Sequence, residues 1–297
     1  MSVLLVCGNS FNKDLVKYDE VFSGFSPNPK MEEVISGVEV LKRINAKKII
    51  AAGGGSAIDV AKAIKYYSDS LDIPLKVIPT TAGSGSCATR FAVVYENGEK
   101  ISIEDDKLLP DEVEFLPELL NTLPIYIKKS SLLDALAQAI ESLWNNKATE
   151  ESKGYSREAI EIIVKNYKEY LNGNETTNKN MMMAANLAGK AINITKTTAP
   201  HAMSYKLTTI FGIAHGHAVA VTVPYVYKFM KTKKEFSEEL DLAVKNFEEI
   251  FNYMDLDIPK ATEEIISSLV KGVNIERLKN SPVQDLDIKY IYREALL

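Results

Sequence analysis

The chain has 297 residues, 46% of them hydrophobic and 25% charged, with a formal charge of −5. At roughly 100–200 residues per domain this length predicts two domains, large enough to bury a core without disulfide staples. The acidic balance, with no basic run interleaved with aromatics, excludes a nucleic-acid binder, and no apolar run approaches the roughly 20 residues that span a bilayer.

The elements fall in a clear order. Val3–Cys7 is a short apolar run closed by Gly8-Asn9, which predicts a buried first strand rather than a secretory leader. The stretch 31–43 has apolar residues at helical spacing. Residues 48–52 predict a strand that runs into Gly53-Gly54-Gly55-Ser56, followed by a helix over 58–67. Residues 75–78 predict a strand closed by Pro79. Runs 91–95 and 100–103 predict a hairpin around Asn97-Gly98, a strong turn signal. This alternation argues for an α/β layer with a mostly parallel sheet. The pattern changes near Leu123-Pro124. Helices are predicted beyond it, over 130–144, 155–170, 180–194, 236–254 and 260–271. The methionine- and alanine-rich 180–194 segment predicts a buried helix with close neighbours. The domains are therefore expected at 1–124 and 125–297. The KTKK stretch at 231–234 reads as a solvated loop. Two cysteines, Cys7 and Cys87, have no metal-site spacing and suit a reducing cytoplasm.

Two loops suit phosphate groups. GGGSAIDVAK at 53–62 joins a strand to a helix, where glycines let the backbone approach a phosphate and free N–H groups attract its charge. It lacks the GxGxxG pattern, and by itself it equally suits a tight turn. PTTAGSGS at 79–86 follows another strand and combines hydroxyls with glycines. Ligands of open α/β sheets bind at the carboxyl ends of the strands, so two such loops at that edge reinforce each other.

Possible metal ligands come next. The three histidines, His201, His215 and His217, all lie within 17 residues. His215 sits in GIAHGH, a helix break suited to a ligand loop. Asp134 lies on a helix among alanines and leucines, with Gln138 one turn later. A carboxylate there needs a partner, because unpaired burial is costly. One Asp with two His suits ferrous iron or catalytic zinc. Taken singly, Asp134 also suits a helix cap or salt bridge, and each histidine a satisfied core imidazole.

Together these segments resemble the iron-containing (group III) alcohol dehydrogenases. The matching pieces are GGGSAIDVAK, PTTAGSGS, LPDEVEFLPELLNTLP at 109–124, DALAQAIE at 134–141, HAMSYKL at 201–207 and AHGHAVAVTVP at 214–224. The resemblance implies an α/β N-terminal dinucleotide-binding domain and an all-α C-terminal domain, the dehydroquinate synthase-like or iron-alcohol dehydrogenase fold, with the active site in the cleft between. It implies that Gly54, Gly55 and Ser56 contact the cofactor pyrophosphate and that Thr80 and Thr81 line the cofactor site, with Asp59 and Ser84 in the same two loops as further cofactor candidates. It places the metal on Asp134, His201 and His215, and it implies a homodimer.

This chain departs from the family pattern in several places. Gln138 stands where a second histidine is usual, and its oxygen is a weaker candidate ligand. Tyr205 replaces a histidine four residues after His201. Cys87 replaces an acidic residue after the second glycine loop, and the stretch after the first strand looks abbreviated. The runs 133–161 and 201–221 look like phosphonoacetaldehyde reductases, which make 2-hydroxyethylphosphonate. In that subgroup Gln138 and Tyr205 would be ordinary features.

The implied reaction reduces an aldehyde with NAD(P)H to a primary alcohol. Tyr205 and His217 are the candidate relays, and Tyr205 suits hydrogen-bond donation better than proton transfer, since a free phenol titrates near 10. The first strand ends in Gly8-Asn9-Ser10 without an acid to repel a 2′-phosphate, so NADPH is expected over NADH. An anionic substrate needs cations. Arg90 and Lys206 are the candidates, each also suited to a surface ion pair. The rival expectations are a nonredox dehydroquinate synthase-like enzyme and a noncatalytic nucleotide-binding protein.

Overall fold

The computed structural model describes residues 2–297. The front half opens with strand β1 (Val3–Cys7), strand β2 (Glu20–Phe22), helix α1 (Met31–Arg43), strand β3 (Lys48–Gly53), helix α2 (Gly55–Tyr67) and strand β4 (Leu75–Pro79). Hairpin strands β5 (Phe91–Glu96) and β6 (Glu99–Glu104) and a short strand β7 (Glu112–Val113) follow. The sheet order is β2-β1-β3-β4-β7, and every pair is parallel. A parallel sheet is covered on both faces, which is why β1 and β3 read as near-continuous apolar runs, while Lys76 in β4 is paired with Glu112 and Glu114. Leu4, Val6, Ile49 and Val77 pack on one side with Val38 of α1 and Ile64 of α2. Leu5, Ile50, Ala52 and Ile78 pack on the other, with Leu116 and Leu119 against them.

Cys7 pairs with Ala52, and Gly53 with Pro79, so β1, β3 and β4 end flush. The segments that begin at Gly8, Gly54 and Thr80 therefore emerge along one edge, where ligands of open α/β sheets bind. The hairpin turns at Asn97 and Gly98, with φ of 53° and 79°. Both lie in the left-handed region that a tight two-residue hairpin turn requires. The hairpin is tied down from α2. Asp59 accepts from the Val93 N–H at 3.2 Å, and the buried Lys62 ammonium donates to the carbonyls of Ser86, Thr89 and Phe91. Burial lowers the Lys62 pKa to about 8.

The back half is helical: α3 (Ile125–Trp144), α4 (Glu150–Leu171), α5 (Asn178–Thr195), α6 (Ala199–Phe211), α7 (His215–Lys231), α8 (Glu238–Met254), α9 (Glu263–Lys271), α10 (Ile275–Leu278) and α11 (Ile288–Leu296). Helix α3 is the central post, packed against α4, α5, α7 and α8. The glycine loop of the front half presses on this bundle. A Cβ on Gly189 of α5 would lie 2.6 Å from the Gly85 carbonyl oxygen, and one on Gly83 would lie 2.6 Å from Ser131 of α3. That close approach is what the small residues of α5 serve. No helix among the described residues is long and apolar enough to cross a membrane.

The structure corrects several sequence expectations. Helix α3 starts at Ile125 rather than at 130, and α4 starts at Glu150, where Thr149 and Ser152 form a reciprocal cap. Helices α6 and α7 had not been assigned. Residues 218–223 of α7 are all buried, so no amphipathic period marks the segment, and HAVAVTVP alternates as a strand would. Strands β2 and β7, of three and two residues, carry no periodic signal at all.

Candidate active site

Helix α3 presents Asp134, Gln138 and Glu141 inward, spaced four and three residues apart on one face. Helix α6 brings His201 and, one turn on, Tyr205. Gly212 ends α6 in the left-handed conformation with φ of 67°, and His215 is the first residue of α7. His215 thus stands at a helix start and not within a loop. The break in the sequence is real, but it lies at Gly212–Ala214.

These elements converge on one centre. Ligand-capable atoms of Asp134, His201 and His215 all lie within 4.8 Å of one another. His201 Nε2 is 3.2 Å from Asp134 Oδ1, and the two imidazole centroids are 5.4 Å apart. Gln138 donates its amide N–H to Asp134 Oδ1 at 3.0 Å. Its Oε1 is buried and finds no hydrogen-bond partner among the described residues. A buried acceptor without a donor costs about 1–3 kcal/mol, and a cation held with Asp134, His201 and His215 would satisfy it. A carboxylate, two imidazoles and an amide oxygen are a donor set suited to a divalent transition metal. Asp134, His201 and His215 therefore fit the metal that the resemblance implies, and the orphaned Gln138 oxygen, one helical turn from Asp134, is a further candidate donor.

Glu141 orients the centre from behind. It contacts His201 Nδ1 through Oε1, and its Oε2 accepts from the Thr198 hydroxyl at 2.7 Å. The Thr198 hydroxyl in turn accepts from Trp144 Nε1 at 2.8 Å. Burial pushes the His201 pKa down, but Glu141 and Asp134 outweigh it and raise it to about 9. Burial lowers His215 to about 4, so its imidazole is neutral, as ligation requires. Outer partners of this kind tune metal affinity by roughly 10–100-fold. Glu141→Gln is accordingly expected to weaken zinc binding by about that factor in a competitive chelator titration. Unchanged affinity would mean that the Glu141 charge does not act on the metal through His201.

A cleft of about 580 Å³ connects this centre to the sheet edge. Its lining joins Gly55, Ser56, Asp59 and Ser84 from the front half to Asp134, Gln138, His201, Tyr205 and His215 from the back. Gly55 needs its missing side chain there, because a Cβ would meet Ser84 Cβ at 3.0 Å. A Cβ on Gly54 would lie 3.3 Å from Thr81 Cγ2, and the Thr80 N–H donates to the Gly53 carbonyl at 3.0 Å. Burial raises the Asp59 pKa to about 6 despite Lys62 nearby. Tyr205 stacks on His215, with ring centroids 6.0 Å apart and planes 2° from parallel. Burial raises its pKa, so it remains a phenol and a hydrogen-bond donor.

Six candidates are absent from the cleft lining: Gly54, Thr80 and Thr81 of the two loops, and His217, Lys206 and Arg90, which are turned elsewhere. His217 follows His215 by two residues, which turns it about 200° around the helix. Its ring packs against Phe251, and its Nδ1 lies 3.2 Å from the Tyr126 hydroxyl. Lys206 points to α9, where it donates to the Ser268 carbonyl at 3.2 Å. Arg90 is occupied by Glu104 at 3.0 Å, Asp106 at 3.4 Å and the Asn193 carbonyl. Sequence reasoning missed Lys100, Arg277 and Glu141. Glu141 was legible, seven residues after Asp134 on the same helix face. Lys100 and Arg277 belong to no motif. The Lys100 ammonium lies 3.4 Å from the Tyr205 ring centroid and the Arg277 guanidinium 5.9 Å from it, a pairing of hairpin and α10 that no local pattern records.

Comparison with known proteins agrees with this arrangement. A family described as iron-containing alcohol dehydrogenase matches residues 6–113, and its C-terminal family matches 129–296. The NADPH-dependent butanol dehydrogenase of Clostridium saccharobutylicum is 30% identical over 78% of this chain and 66% of its own length. Alcohol dehydrogenase 4 of Schizosaccharomyces pombe is 32% identical over 70% of this chain and 54% of its own. An aldehyde-alcohol dehydrogenase 2 of Entamoeba histolytica is 30% identical, and only 27% of its length is covered. The chain thus spans less than two thirds of the length of each of these relatives. Among solved structures, a sulfoacetaldehyde reductase from Bifidobacterium kashiwanohense in complex with NAD+ superposes with a TM-score of 0.89 at 27% identity, covering 99% of this chain and 90% of that one. An iron-containing alcohol dehydrogenase from Thermotoga maritima gives 0.87 at 27% identity, covering 100% and 92%. Both halves of the chain match one lineage: the chain belongs to the iron-containing alcohol dehydrogenase family.

Proposed function

We propose that the protein is a metal-dependent, NAD(P)H-linked alcohol dehydrogenase that works as an aldehyde reductase. One observation carries this reading: the phosphate-suited loops and the Asp134–His201–His215 cluster line the same cleft. A divalent metal on Asp134, Gln138, His201 and His215, iron or zinc, supplies Lewis-acid stabilisation of the aldehyde oxygen when bound, and the nicotinamide supplies the hydride. The chain does the rest. The loops at Gly54–Ser56 and Thr80–Ser84 seat the cofactor pyrophosphate on backbone N–H groups at the start of α2. Glu141 fixes the His201 tautomer, and Tyr205, stacked on His215, offers a phenol hydrogen to the alcohol oxygen. Burial between the two halves keeps water away from the reacting atoms.

In its finer form the reading takes NADPH as reductant and phosphonoacetaldehyde as substrate, giving 2-hydroxyethylphosphonate. The sulfoacetaldehyde reductase neighbour supports the substrate class, since both molecules are two-carbon aldehydes bearing a strong acid group. NADPH is supported by the end of β1, where Gly8 has nothing within 4 Å of a would-be Cβ and a negative φ. Gly8→Asp is therefore tolerated sterically and places a carboxylate where a 2′-phosphate would lie. The ratio of kcat/KM for NADPH over NADH is expected to fall about a hundredfold, on the order of two decades for one repulsive contact. An unchanged ratio would move the ribose elsewhere. The same reading takes the protein as a cytoplasmic homodimer, which light scattering tests for the dimer, and its thiols Cys7 and Cys87 are unpaired.

The direct test follows NADPH absorbance at 340 nm with protein loaded anaerobically with ferrous iron or with zinc. Metal-dependent NADPH loss fastest with phosphonoacetaldehyde supports both levels of the reading. Turnover of neutral aldehydes alone keeps the reductase and discards the substrate. Cofactor binding without turnover under any metal overturns it in favour of a nonredox or noncatalytic protein.

A further inference from the structure

We infer that Arg277 is the specificity-determining residue of the cleft, the cation that receives the acid group of a short anionic aldehyde. The inference rests on the reductase reading for the identity of the substrate, but its observations are separate. Arg277 lies on α10 and lines the cleft together with Asp134, His201 and His215. Its guanidinium is 5.9 Å from the Tyr205 ring, and Tyr205 stacks directly on His215. The guanidinium and the candidate ligand imidazole thus neighbour the same aromatic ring. A two-carbon aldehyde carries its acid group one carbon from the carbonyl. If the carbonyl sits at the ligand cluster, the acid group must meet its cation within this same compartment.

The bonding of Arg277 fits that use. Its one recorded side-chain hydrogen bond goes to the Thr197 hydroxyl, which leaves the remaining N–H groups of the fork available. Among the described residues no carboxylate lies within 4.0 Å of it, and the adjacent Glu276 pairs with Lys279 at 2.6 Å instead. A half-buried guanidinium without a counter-ion, facing a cleft, is a site short of an anion. The planar fork can engage two oxygens of a tetrahedral phosphonate at once, which a lysine cannot do. Lys100 lies against the same tyrosine ring, but burial and the nearby Arg277 push its pKa well below the ordinary lysine value, so the guanidinium is the cation that stays charged there. Arg90 and Lys206 are excluded from this role by the partners they already hold.

The test uses metal-loaded protein saturated with NADPH. Titration calorimetry with 2-hydroxyethylphosphonate then reads binding without turnover, because alcohol and cofactor are both in the reduced state. Arg277→Met is expected to weaken the phosphonate Kd about 30- to 100-fold, the scale of losing a charge-assisted bidentate contact. Arg277→Lys, which keeps the charge, is expected to lose about 5- to 10-fold. In parallel, the ratio of kcat/KM for phosphonoacetaldehyde over propanal should fall 30- to 100-fold in Arg277→Met. A Kd within threefold of wild type in both variants overturns the inference, as does a wild-type protein that binds no phosphonate, or an equal loss on both aldehydes. If no aldehyde is reduced but the Kd contrast is present, the reductase reading falls and Arg277 stands as the anion-binding residue.

Discussion

Asp134→Ala is expected to leave purified protein with less than about a tenth of the metal retained by wild type, measured by plasma mass spectrometry. The reductase activity should fall about a thousandfold or more, since the Lewis-acid contribution goes with the metal. The size of the effect follows from geometry. Asp134 is the one carboxylate among the three clustered candidate ligands, it bridges His201 and Gln138, and it is buried. Without it two imidazoles and an amide oxygen remain, none carrying charge to offset a dication. Asp134→Asn separates charge from shape, and it should lose metal nearly as fully while keeping the fold by circular dichroism. Wild-type metal content in both variants would mean that the cluster is a hydrogen-bonded core feature and not a metal centre.

Gly216→Ala should lower the melting temperature by roughly 6–12 °C, from a cost of about 3 kcal/mol at roughly 2–4 °C per kcal/mol for a protein of this size. Gly216 follows His215 on α7, at the point where α7 meets α3. An added Cβ would overlap the Ser130 carbonyl oxygen and come to 2.8 Å from Asp134 Cβ. Neither atom belongs to the far end of a flexible side chain, so relief requires the helices to separate, which close-packed interiors resist. The same substitution should weaken metal binding, because His215 and Asp134 ride on the two helices being pushed apart. A melting temperature within 1 °C of wild type would show that the crossing is looser than this geometry states.

The two experiments probe different levels of legibility. Asp134 was readable as a candidate because a carboxylate among alanines and leucines on a helix is costly without a partner. Gly216 carried no such signal. In GIAHGH it reads as part of a helix break, whereas in the structure it lies inside the first turn of α7 and is needed for helix approach rather than for turning. Similarly, the glycines of 53–55 and 83–85 read as phosphate loops, yet Gly83 and Gly85 are also where the front half touches α3 and α5. A second, packing role of this kind is invisible in a local pattern.

The grouping of Asp134, Gln138, His201 and His215 as candidate ligands came with the family resemblance, whereas the sequence by itself determined the strand-and-helix alternation of the front half apart from the short β2 and β7, the hairpin at Asn97-Gly98, most helices of the back half and Asp134 as a buried carboxylate in need of a partner. These depend on periodicity, turn chemistry and the cost of a lone buried charge, all of which act between near neighbours in the chain. Only the tertiary structure decided which cations face the cleft. Arg90, His217 and Lys206 were plausible in sequence and are turned elsewhere, while Lys100 and Arg277, 177 positions apart, meet at one tyrosine ring. That outcome depends on how far each helix is rotated about its axis and on which loop lies opposite. Those are set by the summed packing of the whole core, and no stretch of a few residues contains them.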